Sequence, residues 1–211
     1  MNGPNPDEKY PLTGNQNVQF AKNMVSRSNV EIGDYTYYSA EAGESFAERI
    51  TDHYEFIGDR LLIGKFNAIA SGVTFMMNGA NHRMDGSTYP FNIFGNGWEK
   101  ATPTLAQLPY KGDTVLGNDI WIGRNVTIMP GITIGNGAII AANTTVVKDV
   151  PAFGVVGGNP GTLLKMRFSL EKIATLQELA WWDHPIEKIT ENLTSILSYD
   201  VEALLKNFEK R

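Results

Sequence analysis

The sequence predicts a mainly β fold: a parallel β-helix wound from six-residue units, with helices at its C-terminal end. Three observations lead there. Apolar residues recur every six positions, those units are rich in β-branched residues and turn-forming Gly, Asn and Asp, and the periodicity becomes helical after Pro160.

From Leu116 the chain divides into LGNDIW, IGRNVT, IMPGIT, IGNGAI, IAANTT and VVKDVP. The leading residues are Leu116, Ile122, Ile128, Ile134, Ile140 and Val146. The fifth residues are Ile120, Val126, Ile132, Ala138, Thr144 and Val150. A fifth residue and the next lead are separated by one position, so on a strand they face the same side. Gly, Asn and Asp between them turn the chain readily. One unit cannot bury its apolar face alone, so the units must wind and stack. A helical reading fails, because this period gives no i, i+3, i+4, i+7 stripe. An ordinary sandwich would have to produce the consecutive matches by accident.

The same frame runs upstream through IGDRLL, IGKFNA and IASGVT, led by Ile57, Ile63 and Ile69, then Phe75. A related EIGDYT is led by Ile32. The pattern itself sets no hand; the general rule for parallel crossovers favours a right-handed coil.

The hexads stop at Phe75 and resume at Leu116, leaving an interruption over 76–115. A long interruption without regular pattern is functional or disordered. Its aromatics (Tyr89, Phe91, Phe94, Trp98, Tyr110) predict an ordered, packed loop. After Pro160, Ser169 is a plausible N-cap for SLEKIATLQELAWW, with Glu171 in the first turn. Pro185 opens PIEKITENLTSIL, and VEALLKNFEKR makes a third helical stretch. These helices are expected to cap the open end of the solenoid. The expected organisation is a β-helix domain over 1–165, including the N-terminal segment and the excursion, and a helical segment over 166–211.

Composition narrows the function. There is no Cys, which excludes a disulfide framework, a thiolate zinc site and a cysteine acyl-enzyme. The net charge is -5 and no basic run occurs, so nucleic acid is not an expected partner. The polar start MNGPNPDEKYPLTGN is no secretory signal, and no apolar run reaches membrane length, so a cytoplasmic protein is expected.

The chemistry centres on NGANHRMDGS, Asn78 to Ser87. His82 stands in a polar loop between Gly79 and Gly86 and can take a proton from a hydroxyl in water. A bland surface histidine fits the local string equally well. His53 and His184 read as structural, and the spacing of the three supplies no metal site, so no metal is expected. Ser87 lies near His82 without a G-x-S-x-G elbow, so direct transfer is simpler than an acyl-serine. Trp121 precedes a hexad lead and should face out of the narrow coil. Downstream, GGNPGTLLKMR places Lys165 and Arg167 together, where two cations can meet a phosphate; on the residues alone a solvated basic pair before a helix is the better reading.

The hexads resemble those of the left-handed parallel β-helix acyltransferases. The resemblance implies three hexads per coil, a triangular section, left-handed winding and a homotrimer with sites between subunits. G-N-P-A-x-x-[IL]-x-x-R is that family's pattern; this chain has Gly161 where Ala is usual and Thr162 where Lys is common. NGANHRMDGSTYPFNIFGNGWEK, KGDTVLGNDIWIG and GGNP resemble the xenobiotic acetyltransferases of the superfamily, which include type B chloramphenicol and streptogramin A (virginiamycin) O-acetyltransferases. The likeness to the streptogramin branch runs over nearly the whole chain.

It implies an acetyl-CoA-dependent O-acetyltransferase that inactivates streptogramin A antibiotics, with His82 as general base. By the same resemblance Tyr37, Tyr54 and Trp121 line the acceptor pocket, with Asn17, Leu108 and Tyr110 as further candidates. The outward small residues Ala142 and Thr144 or Thr145 would admit pantetheine, and Lys148, Asn159, Pro160, Lys165 and Arg167 would hold the rest of the cofactor. Alternatives are a chloramphenicol or sugar O-acetyltransferase on the same scaffold, and a non-enzymatic scaffold. The second nitrogen of His82 has two candidate partners, Asp85 and a backbone carbonyl.

Overall fold

The computed structural model describes residues 3–198 and 200–209. Three parallel walls form the coil. The first holds β2 (Val30–Ile32), β5 (Leu61–Ile63), β8 (Thr114–Leu116) and β11 (Thr133–Ile134). The third holds β4 (Ile50–Thr51), β7 (Thr74–Met76), β10 (Thr127–Ile128) and β13 (Thr145–Val146). The second is longer and runs β1 (Val18–Phe20), β3 (Tyr37–Ser39), β6 (Ala68–Ile69), β9 (Trp121–Ile122), β12 (Ile139–Ile140), β14 (Gly154–Gly157) and β15 (Thr162–Met166). From β2 to β13 successive strands visit the first, second and third walls in turn, so three hexads make one coil.

The hexad frame is the core. Every lead from Leu116 to Val146 and every fifth residue from Ile120 to Val150 is buried. All but Thr144 join Ile63, Ile69 and Phe75 of the upstream coil in one continuous apolar cluster. Walls this narrow leave no second layer, so each inward side chain meets those of the other two walls.

The corners explain the polar punctuation. Gly64 stands where a Cβ would lie 2.5 Å from the Gly117 carbonyl oxygen of the next coil, so only glycine lets the coils stack there. Between the first and second walls Tyr35, Phe66, Asp119 and Phe153 adopt positive φ, as does Gly137. Asparagines tie one coil to the next: Asn118 N–H donates to Asn136 Oδ1 at 2.7 Å, 18 residues away.

One upstream unit departs from the frame. Ile57 leads no strand; it lies in a 3₁₀ turn, Glu55–Ile57, closed by Gly58 at φ 82°. The strand begins at Leu61 instead, because the chain bulges out over 52–60 before rejoining the wall.

The C-terminal end differs in two respects from the expected cap. First, β15 pairs antiparallel with β14 and covers the edge of the second wall. Second, the helices lie along the corner between the first and second walls. Lys65 Nζ meets Asp183 at 2.9 Å, Phe66 packs on Trp181 at 5.0 Å between ring centres, and Asn136 Nδ2 donates to Gln177 at 2.8 Å. These contacts reach back to the second coil, because the aromatic corner residues offer apolar surface along its length. Ser169 caps α1 (Leu170–Leu179) as expected. The next stretch breaks at Asn192 into α2 (Ile186–Glu191) and α3 (Leu193–Ile196), and α4 (Val201–Glu209) follows. Phe153, Leu176, Trp182, Val201, Leu204 and Phe208 form a second buried cluster.

Candidate active site

Two bulges leave the coil at the same corner, where the third wall returns to the first. The shorter lies between β4 and β5; the longer, the excursion, lies between β7 and β8 one coil later. Stacking of the coils therefore sets the Tyr54–Phe56 bulge against the foot of the histidine loop. Gly79 makes the fit: its N–H donates to the Asp52 carbonyl at 3.0 Å, and a Cβ there would lie 2.4 Å from the Tyr54 ring.

The excursion holds itself together through short 3₁₀ turns and its own aromatics. Tyr89 stacks on Phe94 at 5.4 Å, and Phe91 meets Trp98 edge-on at 5.3 Å. The expectation of an ordered, packed loop is met.

His82 is exposed on the inner side of this loop. Its Nδ1 lies 2.9 Å from the Thr88 carbonyl oxygen. A carbonyl only accepts, so this nitrogen carries the proton and donates. Nε2 is left with its lone pair, the form a general base requires. Asp85 does not take this role, because its carboxylate pairs with Arg83.

His82 lines a cavity of about 770 Å³ whose walls are mostly apolar. Tyr54, Phe56, Phe91, Ile93, Leu105 and Leu108 line it, and His82 is among its polar groups. Tyr54 and Phe56 stack at 5.7 Å and form one aromatic wall. Such a site suits a large, mostly apolar ligand with a few hydroxyls. Phe56 is absent from the sequence-based candidates. The alternation of Tyr54 and Phe56 was its available signal, masked by assigning Ile57 to a hexad.

The remaining candidates fall elsewhere. Trp121 faces outward, 58% exposed, as its position before a lead requires. Tyr37, Ala68 and Trp121 occupy one register position on the second wall, so Tyr37 and Trp121 share an outer face. Neither lines the His82 cavity. Asn17 is exposed beside β1, and its carbonyl accepts the Ala40 N–H at 2.6 Å. Tyr110 is exposed, and its hydroxyl donates to Asp113 at 3.4 Å.

On the cofactor side, Thr144 requires correction. It is 1% exposed and points into the coil, because a fifth-position residue shares the face of the leads. Ala142 is exposed and Thr145 half-buried. Asn159 and Pro160, joined by a cis peptide, are exposed in the turn between β14 and β15. Gly161 N–H donates to the Thr145 carbonyl at 2.8 Å, and a Cβ there would lie 2.9 Å from Thr144 Cγ2, which accounts for glycine in place of alanine. Lys148 and Lys165 are exposed and form no ion pair among the described residues. Arg167 is engaged within the fold: it donates to the Gly137 carbonyl at 2.6 Å and lies over the Phe153 and Phe168 rings. His53 is buried, and His184 packs on Phe208.

A hexapeptide coil that throws out a lone basic histidine above an apolar cavity defines an acyltransferase of the hexapeptide class. Residues 113–148 match the family model described as bacterial transferase hexapeptide (six repeats). The chain is 61% identical over 170 residues to a probable macrolide acetyltransferase of Lysinibacillus sphaericus, covering 80% of this chain and 94% of that one. It is 51% identical over 202 residues to a virginiamycin A acetyltransferase of Staphylococcus aureus, covering 96% and 92%. An Escherichia coli chloramphenicol acetyltransferase is 38% identical over 192 residues, covering 88% and 90%. The chain belongs to the hexapeptide-repeat acetyltransferases, within the group that contains these antibiotic-modifying enzymes. Its parallel three-walled coil of hexads agrees with that membership.

Proposed function

We propose that this chain is an acetyl-CoA-dependent O-acetyltransferase that inactivates streptogramin A antibiotics. The observation that carries the reading is His82, its Nδ1 proton held by Thr88 and its Nε2 free, set in a large apolar cavity. Nε2 takes the proton of the antibiotic's secondary hydroxyl. The oxygen then bonds to the acetyl carbonyl carbon, the carbon–sulfur bond breaks, and the proton passes to the leaving CoA sulfur. Acetyl-CoA supplies the acetyl thioester; this chain orients the acceptor and moves the proton.

Ala142 and Thr145 offer a small-residue path along the coil, and Lys148 and Lys165 offer unpaired positive charge for phosphates. Asn159 and Pro160 are in the same turn region. The split between the His82 cavity and the Tyr37–Trp121 face supports a homotrimer in which one subunit's wall completes another's pocket. Among the described residues no helix is long and apolar enough to cross a membrane. The reading places the enzyme in the cytoplasm, with the coil and site in 1–165 and a helical segment in 166–211.

A chloramphenicol acceptor is the second reading, favoured by the 38% identity to the Escherichia coli enzyme. A sugar acceptor fits poorly with the Tyr54, Phe56 and Ile93 walls. The test is thiol release from acetyl-CoA with virginiamycin M, chloramphenicol and a galactoside. Virginiamycin M should be the preferred acceptor, and His82→Ala should lower kcat about 10²–10⁴-fold. No release with virginiamycin M would end the streptogramin reading. An unchanged rate in His82→Ala would end the mechanism.

A further inference from the structure

Beneath the histidine loop lies a polar knot that the transfer chemistry leaves unused. Asn78 is 2% exposed and Asp59 fully buried. Asp59 Oδ2 accepts from the Asn78 backbone N–H at 2.8 Å and from Asn78 Nδ2 at 2.9 Å. The same Nδ2 donates to the Gly112 carbonyl at 2.8 Å, and Asn78 Oδ1 accepts from the Lys111 N–H at 2.7 Å. Asn81, the neighbour of His82, donates to Asn78 Oδ1 at 3.3 Å and through its backbone to the Asn78 carbonyl at 3.1 Å.

Asn78 is where the excursion leaves the coil, and Lys111 and Gly112 are where it returns. One side chain therefore ties the two feet together and connects them to the shorter bulge through Asp59. A second tie runs beside it, where Arg60 N–H donates to Asp113 at 2.9 Å. His53 sits underneath, its Nε2 2.9 Å from the Asp59 carbonyl oxygen and 3.9 Å from Asp59 Oδ1. A loop held only at its tip by self-packed aromatics would pivot on its feet. The Asp59–Asn78 clasp removes that freedom four residues before His82.

We propose that Asp59 and Asn78 are positioning residues that fix where His82 stands over the acceptor. The proposal rests on His82 being the general base. Neither residue touches the reacting atoms; both act by setting the angle at which the excursion rises from the coil.

The experiment compares Asn78→Ala, Asp59→Ala and Asp59→Asn with wild type in acetyl-CoA and virginiamycin M, with His82→Ala alongside. Each is assayed well below its melting temperature after circular dichroism has confirmed the β-helix. An asparagine oxygen at position 59 can still accept both Asn78 bonds. The two alanine variants should lose on the order of 100-fold in kcat, the effect of a misplacement of about 1 Å, while the acetyl-CoA KM stays within about twofold. Asp59→Asn should stay within about threefold of wild type, a rescue that mere tolerance of a smaller side chain does not predict. Folded alanine variants with wild-type kcat would overturn the proposal, as would Asp59→Asn falling as far as Asp59→Ala. If Asp59→Ala does not fold, Asn78→Ser decides: loss of kcat in a folded protein supports the clasp and wild-type kcat refutes it. Full activity in His82→Ala would instead refute the underlying mechanism.

Discussion

A carbonyl holds one His82 nitrogen, which leaves the other for the proton transfer proposed above. The histidine was legible in the sequence: it stands in a polar, glycine-flanked loop where the repeat stops. Its partner was not, because a backbone carbonyl leaves no mark in residue identity, and Asp85 was an equal candidate on spacing. Asp59 and Phe56 stayed hidden for a related reason, since their roles arise only when one coil lies over another. A different residue makes a pH prediction. Asp119 is pushed up to about 6 by burial, against an opposing pull from Arg167 at 3.9 Å. A raised carboxyl favours the protonated folded state. Its stabilising contribution is full below the ordinary carboxylate range and is lost as pH rises through about 6. Asp119→Asn, well suited to its positive φ, should therefore gain on wild type between pH 4.5 and 7.5, which thermal melts at about those values would show. A constant difference across that range would contradict the assignment.

At the level of elements, the hexad frame converts directly into buried residues. From Leu116 to Val150 its leads and fifth residues all face inward, and Thr144 follows that rule even though a threonine suggests an outer surface. Ile57 shows where the frame misleads: a lead followed by glycine can also open a turn, and only the position of the next strand distinguishes them. Strand β15 was unreadable because Leu163 and Leu164 are exposed on an edge and carry no inward alternation. Ile128 sits in the middle of the coil, fully buried. Ile128→Ala should lower unfolding free energy by about 2–5 kcal/mol, since three tight walls cannot collapse onto the gap. Denaturant titration with an unchanged m-value would confirm it.

For the whole molecule, the fold was legible because one short period repeats around three walls. The proposed site was legible only in part, because its candidate residues stand on separate faces of the chain. His82 and Tyr54 share a cavity, while Tyr37 and Trp121 face outward from another wall. With the pocket shared as proposed, sedimentation should give a mass of about three chains, the homotrimer that the family resemblance implies; a head-to-tail contact between two different faces closes into such a ring. A monomer with full activity would remove the need for a shared pocket.

The excursion departs after β7 and the next coil pairs Phe75 with Ile128 and Ile63 with Leu116, as though the chain had never left. The wall keeps its count whatever the loop contains. Changes within the loop can thus reshape the walls of the His82 cavity while the framework stays as it was, without reopening the problem of folding.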